Sequence, residues 1–306
     1  MSEIEFEGVL PALITPFTAD GASVDESALR ALVERSIEGD VGGLVATGST
    51  GEVTALSGDE RRHVVEEVIA AAAGRVPTVA GTTALTTAET IALSVDAERA
   101  GAAAVMVMPP FYGAPTWRET LAHFASVADR ISIPIVYYHM PAVSGTTPTI
   151  EQLAELRREA HVTAMKDSSG DAVTAAALIH AGDAVPTYLN GADTLTFAAL
   201  AAGVRSVVWG AASFMPSEAV RLHRLLIHDP SLLAARTLWA GLYPICAFLE
   251  GTSYVAGVKA ACRVVGLTTG PVRAPLLELP DAERSALEGL LAAAGIGARE
   301  AVGAAG

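Results

Sequence analysis

The chain has 306 residues, of which 51% are hydrophobic and 18% are charged, so it can form a large core and carries too little charge to be disordered. Its formal net charge of −14 disfavours nucleic acid and anionic membrane surfaces as partners, because like charges repel. The first ten residues, MSEIEFEGVL, lack a basic segment followed by an apolar run, so we expect no signal peptide. We also expect no membrane-spanning helix and a cytoplasmic location.

Eight short apolar segments recur at regular intervals along the first two thirds of the chain. They are continuously apolar rather than alternating, which is typical of parallel strands that are covered on both faces. The predicted strands are Gly8–Ile14, Gly43–Thr47, Thr78–Gly81, Ala103–Met108, Ile135–His139, Val162–Lys166, Thr187–Asn190 and Ser206–Trp209.

The stretches between these strands have helical spacing and helix start signals. Ser57, with Glu60 three residues later, has the spacing of a capping box, and Asp25, Thr87 and Thr149 precede other helical runs. Eight strands that alternate with helices predict a closed (β/α)8 TIM barrel. An open doubly wound sheet is the alternative, although the glycine fingerprint G-x-G-x-x-G that often accompanies it is absent.

Beyond residue 215 helical periodicity continues to about Ala294, which is more helix than one barrel unit needs. We therefore predict a barrel over residues 1–225 and a C-terminal helical extension, packed on the barrel, over residues 226–306. The Ala/Gly-rich tail Gly295–Gly306 is expected to fray. The two cysteines, Cys246 and Cys262, are too few for a disulfide framework and lack metal-site spacing, so we expect both to be buried in helices.

Lys166 ends the predicted sixth strand, at the end of a barrel where catalytic groups lie. The chain has 20 basic residues other than histidine, and only Lys166 and Lys259 are lysines. Lysine can lose its proton and attack a ketone, whereas arginine cannot. The alternative is an ion pair with a neighbour such as Asp167. We expect Lys259, in the helical region, to be a surface residue.

The segment GSTGE at residues 48–52 follows the predicted second strand. Its glycines permit a tight turn with backbone N–H groups available to an anion, and the hydroxyls of Ser49 and Thr50 add donors. The pattern favours a site for a carboxylate or phosphate, although such clusters also mark ordinary turns. No lysine follows the second glycine, so the segment is not a P-loop.

Tyr137 and Tyr138 occupy the predicted fifth strand and must point to opposite faces. The one inside the barrel needs a hydrogen bond, and a tyrosine near an amine can move protons, although a packing role is equally compatible. We expect His139 to be a hydrogen-bonded loop residue rather than a base. The loop PPFYG after the fourth strand presents a further tyrosine, Tyr112.

Taken together and in this order, the motifs resemble those of the dihydrodipicolinate synthase and N-acetylneuraminate lyase family, which are class I pyruvate-dependent aldolases. The resemblance extends over nearly the whole chain. It rests on GVLPA at residues 8–12, TPF at 15–17, GSTGE at 48–52, PFY at 110–112, YHMP at 138–141, KDSSG at 166–170 and PVRAPL at 271–276.

The resemblance implies that Lys166 forms an imine with pyruvate or another 2-oxo acid. It implies that Ser49 and Thr50, in the loop that Gly48 begins, hold the carboxylate of that acid, and that Tyr138 relays protons next to the imine. No metal and no diffusible cofactor are implied, because the protonated imine itself accepts the electrons.

Two further positions carry roles by resemblance. Tyr112 would complete a proton relay through Thr50, and in the family this tyrosine reaches into the site of the neighbouring subunit. Val208 lies where the family places a backbone carbonyl near pyruvate. The implied assembly is a homotetramer built from two dimers.

Two departures from the family pattern concern the second substrate. Synthases that bind aspartate semialdehyde have an arginine five residues after the relay tyrosine, where this chain has Val143. The sialic acid lyases have an acidic pair after a glycine in the seventh-strand loop, where Gly191 is followed by Asp193 but then by Thr194. We therefore expect an aldolase that forms or cleaves a carbon–carbon bond between pyruvate and a different aldehyde.

Four alternatives remain at this point. A dihydrodipicolinate synthase is disfavoured by Val143, and a dehydratase of a 2-keto-3-deoxy sugar acid would use the same imine. A non-enzymatic binding protein on this scaffold is expected to lose Lys166 or Tyr138, and both are present. A sugar phosphate isomerase needs a phosphate site after the last strands, where the segment GAASF at residues 210–214 has no basic residue.

Overall fold

The computed structural model of the chain describes residues 6–297, and its centre is a sheet of eight parallel strands. Consecutive strands pair from β2 to β8, and the first strand also pairs with the last. The strands are β1 Gly8–Pro11, β2 Leu44–Ala46, β3 Thr78–Gly81, β4 Ala104–Val107, β5 Ile135–His139, β6 Val162–Asp167, β7 Thr187–Asn190 and β8 Ser206–Trp209.

Backbone hydrogen bonds also join β1 to β2. The Gly42 N–H donates to the Val9 carbonyl at 2.9 Å, and the Leu13 N–H donates to the Val45 carbonyl at 2.9 Å. These contacts complete the ring of strands, so the predicted closed barrel is confirmed and the open doubly wound sheet is wrong.

The observed strands agree with the predicted ones in position and differ at their ends. The first strand ends at Pro11 rather than Ile14, because beyond Pro11 the segment keeps only an isolated bridge between Ala12 and Val45. The sixth strand continues one residue further, to Asp167, because it stays paired with β5 and β7 there.

Nine helices as far as residue 227 cover the outside of the barrel or follow its strands in short turns. The predicted capping box at Ser57 begins α2, and Thr149 precedes a helix as predicted and forms a capping box as well. The third helix is capped by Thr86 rather than Thr87. The helices are α1 Glu26–Glu38, α2 Gly58–Ala72, α3 Thr87–Ala100, α4 Trp117–Ala128, α5 Pro141–Ser144, α6 Ile150–Glu159, α7 Ala172–Ala181, α8 Thr196–Ala201 and α9 Pro216–Ile227.

Three more helices follow, α10 Leu232–Glu250, α11 Tyr254–Val264 and α12 Asp281–Ala293. They contact one another, and α10 also contacts α9. Cys246 in α10 and Cys262 in α11 are buried, as predicted. The boundary at residue 225 stays a prediction, and most of the predicted tail lies outside the described residues.

Helix α10 is the one helix in residues 6–297 that is long and apolar enough to cross a membrane, with a mean hydropathy of 1.5. Core helices of globular proteins pass the same test of length and composition. Its buried side chains, which include Leu242, Ile245 and Leu249, belong to the core shared with the barrel helices.

Alternation along the strands divides the core into two layers. Side chains that point inward, among them Met106, Tyr138 and Val208, fill the barrel, while outward side chains such as Tyr137 pack against the helices. Tyr137 lies 5.3 Å from Phe124 of α4 between ring centroids. This alternation decides which tyrosine of β5 reaches the barrel interior.

Gly81 at the end of β3 must be glycine for steric reasons. A Cβ atom there would lie 2.3 Å from the carbonyl oxygen of Thr47, in the turn that leads to residues 48–52. We predict that Gly81→Ala lowers the free energy of unfolding by about 1–3 kcal/mol, measured by urea denaturation. Gly289→Ala in α12 is the matched control, because no neighbour among residues 6–297 lies within 4 Å of its new Cβ and alanine favours a helix. Equal effects of the two substitutions would contradict the steric argument.

Candidate active site

Lys166 lies near the end of β6, and its side chain is buried at the mouth of the barrel. The strand register places it beside Tyr138 of β5, and its Nζ lies 4.2 Å from the centroid of the Tyr138 ring. Gly191 follows β7 and faces the lysine stem, since a Cβ there would lie 2.7 Å from Cε of Lys166. The absence of a side chain at Gly191 therefore leaves room for the amine.

The neighbouring Asp167 points away and bonds to other groups. Its Oδ1 accepts a hydrogen bond from the Ser169 N–H at 2.9 Å, and its Oδ2 accepts one from the Tyr188 hydroxyl at 3.3 Å. Strand alternation separates the two side chains. The two side chains therefore do not form the simple ion pair that was the alternative role for Lys166.

The Tyr138 hydroxyl lies between two partners at the barrel mouth. It is 3.3 Å from Oγ of Ser49 and donates to Sδ of Met140 at 3.3 Å. Burial pushes the pKa of Tyr138 upward, but the charge of Lys166 and hydrogen bonds to Ser49 and Ser168 outweigh burial, so the pKa lies below its ordinary value. A phenol in this setting can exchange a proton with the neighbouring amine or with a bound molecule.

Ser49 and Thr50 lie in a short 3₁₀ turn after β2. The N–H groups of Gly51 and Glu52 close the turn on the carbonyls of Gly48 and Ser49, at 3.0 and 3.1 Å. Thr50 is buried, and the Ser49 hydroxyl lines a cleft beside Tyr138. The sequence motif is therefore an ordered turn that places Ser49 at the cleft beside Tyr138.

Lys259 corrects a prediction. Its side chain is fully buried in α11, its Nζ lies 2.5 Å from Oε1 of Glu52, and it donates to the Pro271 carbonyl at 2.8 Å. Burial lowers the pKa of Lys259, although the Glu52 carboxylate opposes this effect. The expected surface residue is wrong, because α11 turns this position toward the loop that contains Glu52.

Asp193 follows β7 and is buried on the side of the C-terminal helices. Its Oδ2 accepts hydrogen bonds from the Tyr254 hydroxyl at 2.7 Å and from the Ala211 N–H at 3.4 Å. Burial raises the pKa of Asp193 to about 7, against the opposing hydrogen bond from Tyr254. The carboxyl group thus binds the protein itself, and Thr194 next to it bonds to Glu250.

The remaining predicted residues divide between the cleft and its surroundings. Val143 in α5 is 43% exposed and lines a cleft of about 410 Å³ with Tyr138, Ser49 and Gly48. Val208 is buried inside the barrel, whereas Tyr112 is 91% exposed and does not line the cleft.

One group of side chains in residues 6–297 could bring three metal-ligand atoms together, namely Glu26, His63 and Glu67 on α1 and α2. Arg30 already pairs with both glutamates. The group contains none of the residues that surround Lys166, so we assign it no part in the candidate site.

Sequence reasoning missed three contributors to the site, and two of them carried a signal. Because only two lysines occur in the chain, a specific buried role for Lys259 could have been expected as it was for Lys166. Ser168, whose hydroxyl donates to the Gly191 carbonyl at 2.9 Å, stands in the quoted KDSSG motif. Tyr254 had no local signal, because its partner Asp193 is 61 residues away in the chain.

Comparison with known proteins places the chain in a family. A family model described as the dihydrodipicolinate synthetase family matches residues 5–294. The chain belongs to this family. It is accordingly an enzyme, a carbon–carbon lyase of the class I aldolase type.

The relatives of this family member are similar over almost their whole length. A 4-hydroxy-tetrahydrodipicolinate synthase from Sorangium cellulosum is 37% identical over 286 residues, which are 93% of this chain and 94% of the relative. One with the same name from Methanocaldococcus jannaschii is 35% identical over 289 residues, covering 94% and 98% of the two chains.

Solved structures in the family have the same architecture. A chloride-inhibited dihydrodipicolinate synthase from Acinetobacter baumannii, complexed with pyruvate, superposes with a TM-score of 0.90 at 29% identity and covers 95% of this chain and 100% of its own. The enzyme from Aquifex aeolicus gives a TM-score of 0.90 at 28% identity, with coverage of 96% and 100%.

The raised pKa of Asp193 predicts a pH dependence of stability. A carboxyl group whose pKa is higher in the folded state than in the unfolded state stabilises the fold when it is protonated. This contribution to the free energy of unfolding is complete below the unfolded pKa, near 3.8, and is lost as the pH rises through about 7. The free energy of unfolding should therefore fall toward neutral pH, by up to about 1.4 kcal/mol per unit from this group. Urea denaturation of the wild type and Asp193→Asn from pH 5 to 8 measures the difference. A constant difference between the two proteins would contradict the assignment.

Proposed function

We propose that this family member is a pyruvate-dependent aldolase that reacts through an imine on Lys166 and that takes an aldehyde without a second carboxylate. The observation that carries the proposal is the buried amine of Lys166 beside the hydroxyl-bearing residues Tyr138 and Ser49. The choice of an aldehyde without a second carboxylate rests on Val143, which lines the adjacent cleft.

The chemistry follows from an amine that is held against a phenol. Unprotonated Lys166 attacks the ketone carbon of a 4-hydroxy-2-oxo acid to give a neutral carbinolamine. A proton from the Tyr138 hydroxyl lets the carbinolamine oxygen leave as water, which gives the protonated imine and a Tyr138 phenolate that can later accept a proton. Removal of the proton from the C4 hydroxyl breaks the C3–C4 bond, and its electron pair moves into the imine to give an enamine and a free aldehyde. Protonation at C3 and hydrolysis then release pyruvate and restore the amine, and condensation is the reverse.

Residues around Lys166 supply the groups that these steps need. The turn with Ser49 and Thr50 offers hydroxyls to the carboxylate of the 2-oxo acid, as in the implied family role. Tyr138 lies within reach of Ser49 and close to the amine, so its proton can pass to and from the reacting oxygens.

The cleft next to Tyr138 argues for an uncharged aldehyde. Its lining is largely apolar and includes Leu85, Phe111 and Val143. The cation in this lining, Arg61, donates to the carbonyls of Gly81 and Thr83 at 3.3 and 2.7 Å. Glu89 also lines the cleft, so a second carboxylate would be desolvated near a like charge, which is costly.

We also propose a cytoplasmic homotetramer in which Tyr112 packs against another subunit. An aromatic side chain that is 91% exposed in the single chain supports an interface at this loop. Sedimentation analysis of the wild type and Tyr112→Glu tests this point. We expect the charged variant to shift toward dimers or monomers, and an unchanged assembly would contradict the interface.

Pyruvate release tests the reaction itself. Wild-type protein, incubated with a panel of 4-hydroxy-2-oxo acids, should release pyruvate, followed by lactate dehydrogenase and NADH. Lys166→Ala should abolish the release, and Tyr138→Phe should slow it by a factor of about 10² to 10⁴ because the proton relay is lost. A product that keeps the full carbon skeleton would identify a dehydratase instead.

The specificity proposal has its own variant. We expect Val143→Arg to raise kcat/KM for aspartate semialdehyde relative to an uncharged aldehyde by about tenfold or more, because a hydrogen bond to a charged group contributes about 1.5–3 kcal/mol. Val173→Arg, at an exposed position of α7 outside the cleft, is the matched control. Efficient wild-type condensation with aspartate semialdehyde would instead favour the function named for the relatives.

A further inference from the structure

We propose that the buried ion pair between Glu52 and Lys259 is a positioning device for the turn that contains Ser49 and Thr50. On this proposal the C-terminal extension orders a loop of the active site and does not only pack against the barrel. The pyruvate readout below rests on the proposed function, whereas the exchange readout does not.

The backbone of Glu52 is directly linked to the turn. Glu52 has a φ of 54°, a left-handed conformation that is uncommon outside glycine, and its N–H donates to the Ser49 carbonyl at 3.1 Å. Thr15 adds a second restraint, since its hydroxyl donates to the Gly51 carbonyl at 2.7 Å. Any relaxation of Glu52 therefore moves Ser49.

The side chain of Glu52 is held from the C-terminal extension at both oxygens. Oε1 lies 2.5 Å from Nζ of Lys259 in α11, and Oε2 accepts a hydrogen bond from the Arg273 N–H at 2.8 Å. Both charged side chains are completely buried, so removal of one partner leaves an uncompensated charge. Separation of the Glu52–Lys259 ion pair is therefore unfavourable in free energy, and the pair holds the left-handed backbone of Glu52 in place.

The groups that hold Glu52 are themselves fixed to the first loop of the barrel. The Phe17 ring lies 4.2 Å from Nζ of Lys259 and 4.0 Å from Cζ of Arg273, both to its centroid. The guanidinium of Arg273 also donates to the carbonyls of Gly21 and Ala55 and pairs with Glu60. One network therefore joins the β1 loop, the β2 loop and the C-terminal segment.

A stabilising role alone would make this pair energetically replaceable, because buried ion pairs are often no better than apolar groups of the same volume. A positioning role predicts that the neutral replacement folds but loses order in the turn. The double variant Glu52→Gln/Lys259→Met separates the two roles, since it leaves no buried charge.

The test combines two measurements on the full-length double variant. Backbone hydrogen exchange, read by mass spectrometry on peptides that cover residues 44–56, should become at least tenfold faster there than in the wild type. The pyruvate concentration that gives half-maximal trapping with borohydride should rise about tenfold, and the maximal trapping rate should change less than this, because the nucleophile Lys166 lies on β6.

Leu287→Ala in α12 is the control for general damage to the extension, since Leu287 is fully buried there and takes no part in the ion pair or the Arg273 hydrogen bond of Glu52. It should lower stability without changing either readout. Exchange and half-saturation within twofold of the wild type in the double variant would overturn the proposal. If wild-type protein traps no pyruvate, the proposed function fails and the exchange measurement decides this proposal alone.

Glu52→Gln alone serves if the double variant does not fold. It removes the carboxylate charge that faces Lys259 and keeps a side chain of the same length with an oxygen that can accept the Arg273 N–H. Faster exchange in residues 44–56 supports the positioning role, and unchanged exchange there overturns it.

Discussion

The structure depends on the confinement of one amine, that of Lys166, inside the mouth of a closed barrel. Parallel strands in a ring bring their carboxyl ends to a single face, so groups from distant parts of the chain meet there. Lys166 of β6 consequently lies beside Tyr138 of β5 and behind Gly191, which follows β7. The barrel supplies proximity and burial, and the loops supply the polar partners.

The second constraint is that the turns at the mouth must be rigid. Ser49 is joined to Glu52 through the backbone, and Glu52 is joined to α11 and the segment after it. Asp193 has a comparable link, since it bonds to Tyr254 at the start of α11. The same C-terminal helix therefore contacts loops on two sides of Lys166.

Much of the fold and part of the site could be predicted from local patterns. The apolar runs located all eight strands, and strand ends placed Lys166 and one of the two tyrosines of β5 at the same end of the barrel. The family resemblance, rather than the pattern, singled out Tyr138. Local patterns did not decide between Thr86 and Thr87 as the cap of α3, because neighbouring threonines are equally good caps, and the structure has Thr86 in that position. Pairs that are far apart in sequence, such as Glu52 with Lys259, had no local signature, because periodicity shows which face is apolar but not what that face meets.

The imine mechanism requires Lys166 as the nucleophile, and a trapping experiment tests this requirement. Wild-type protein is incubated with pyruvate and sodium borohydride, digested, and analysed by peptide mass, with Lys166→Ala treated in parallel. We expect a mass increase equal to reduced pyruvate on the peptide that contains Lys166, none on the peptide with the buried Lys259, and none in the variant. No adduct in the folded wild type with several 2-oxo acids, or an adduct on Lys259, would contradict it.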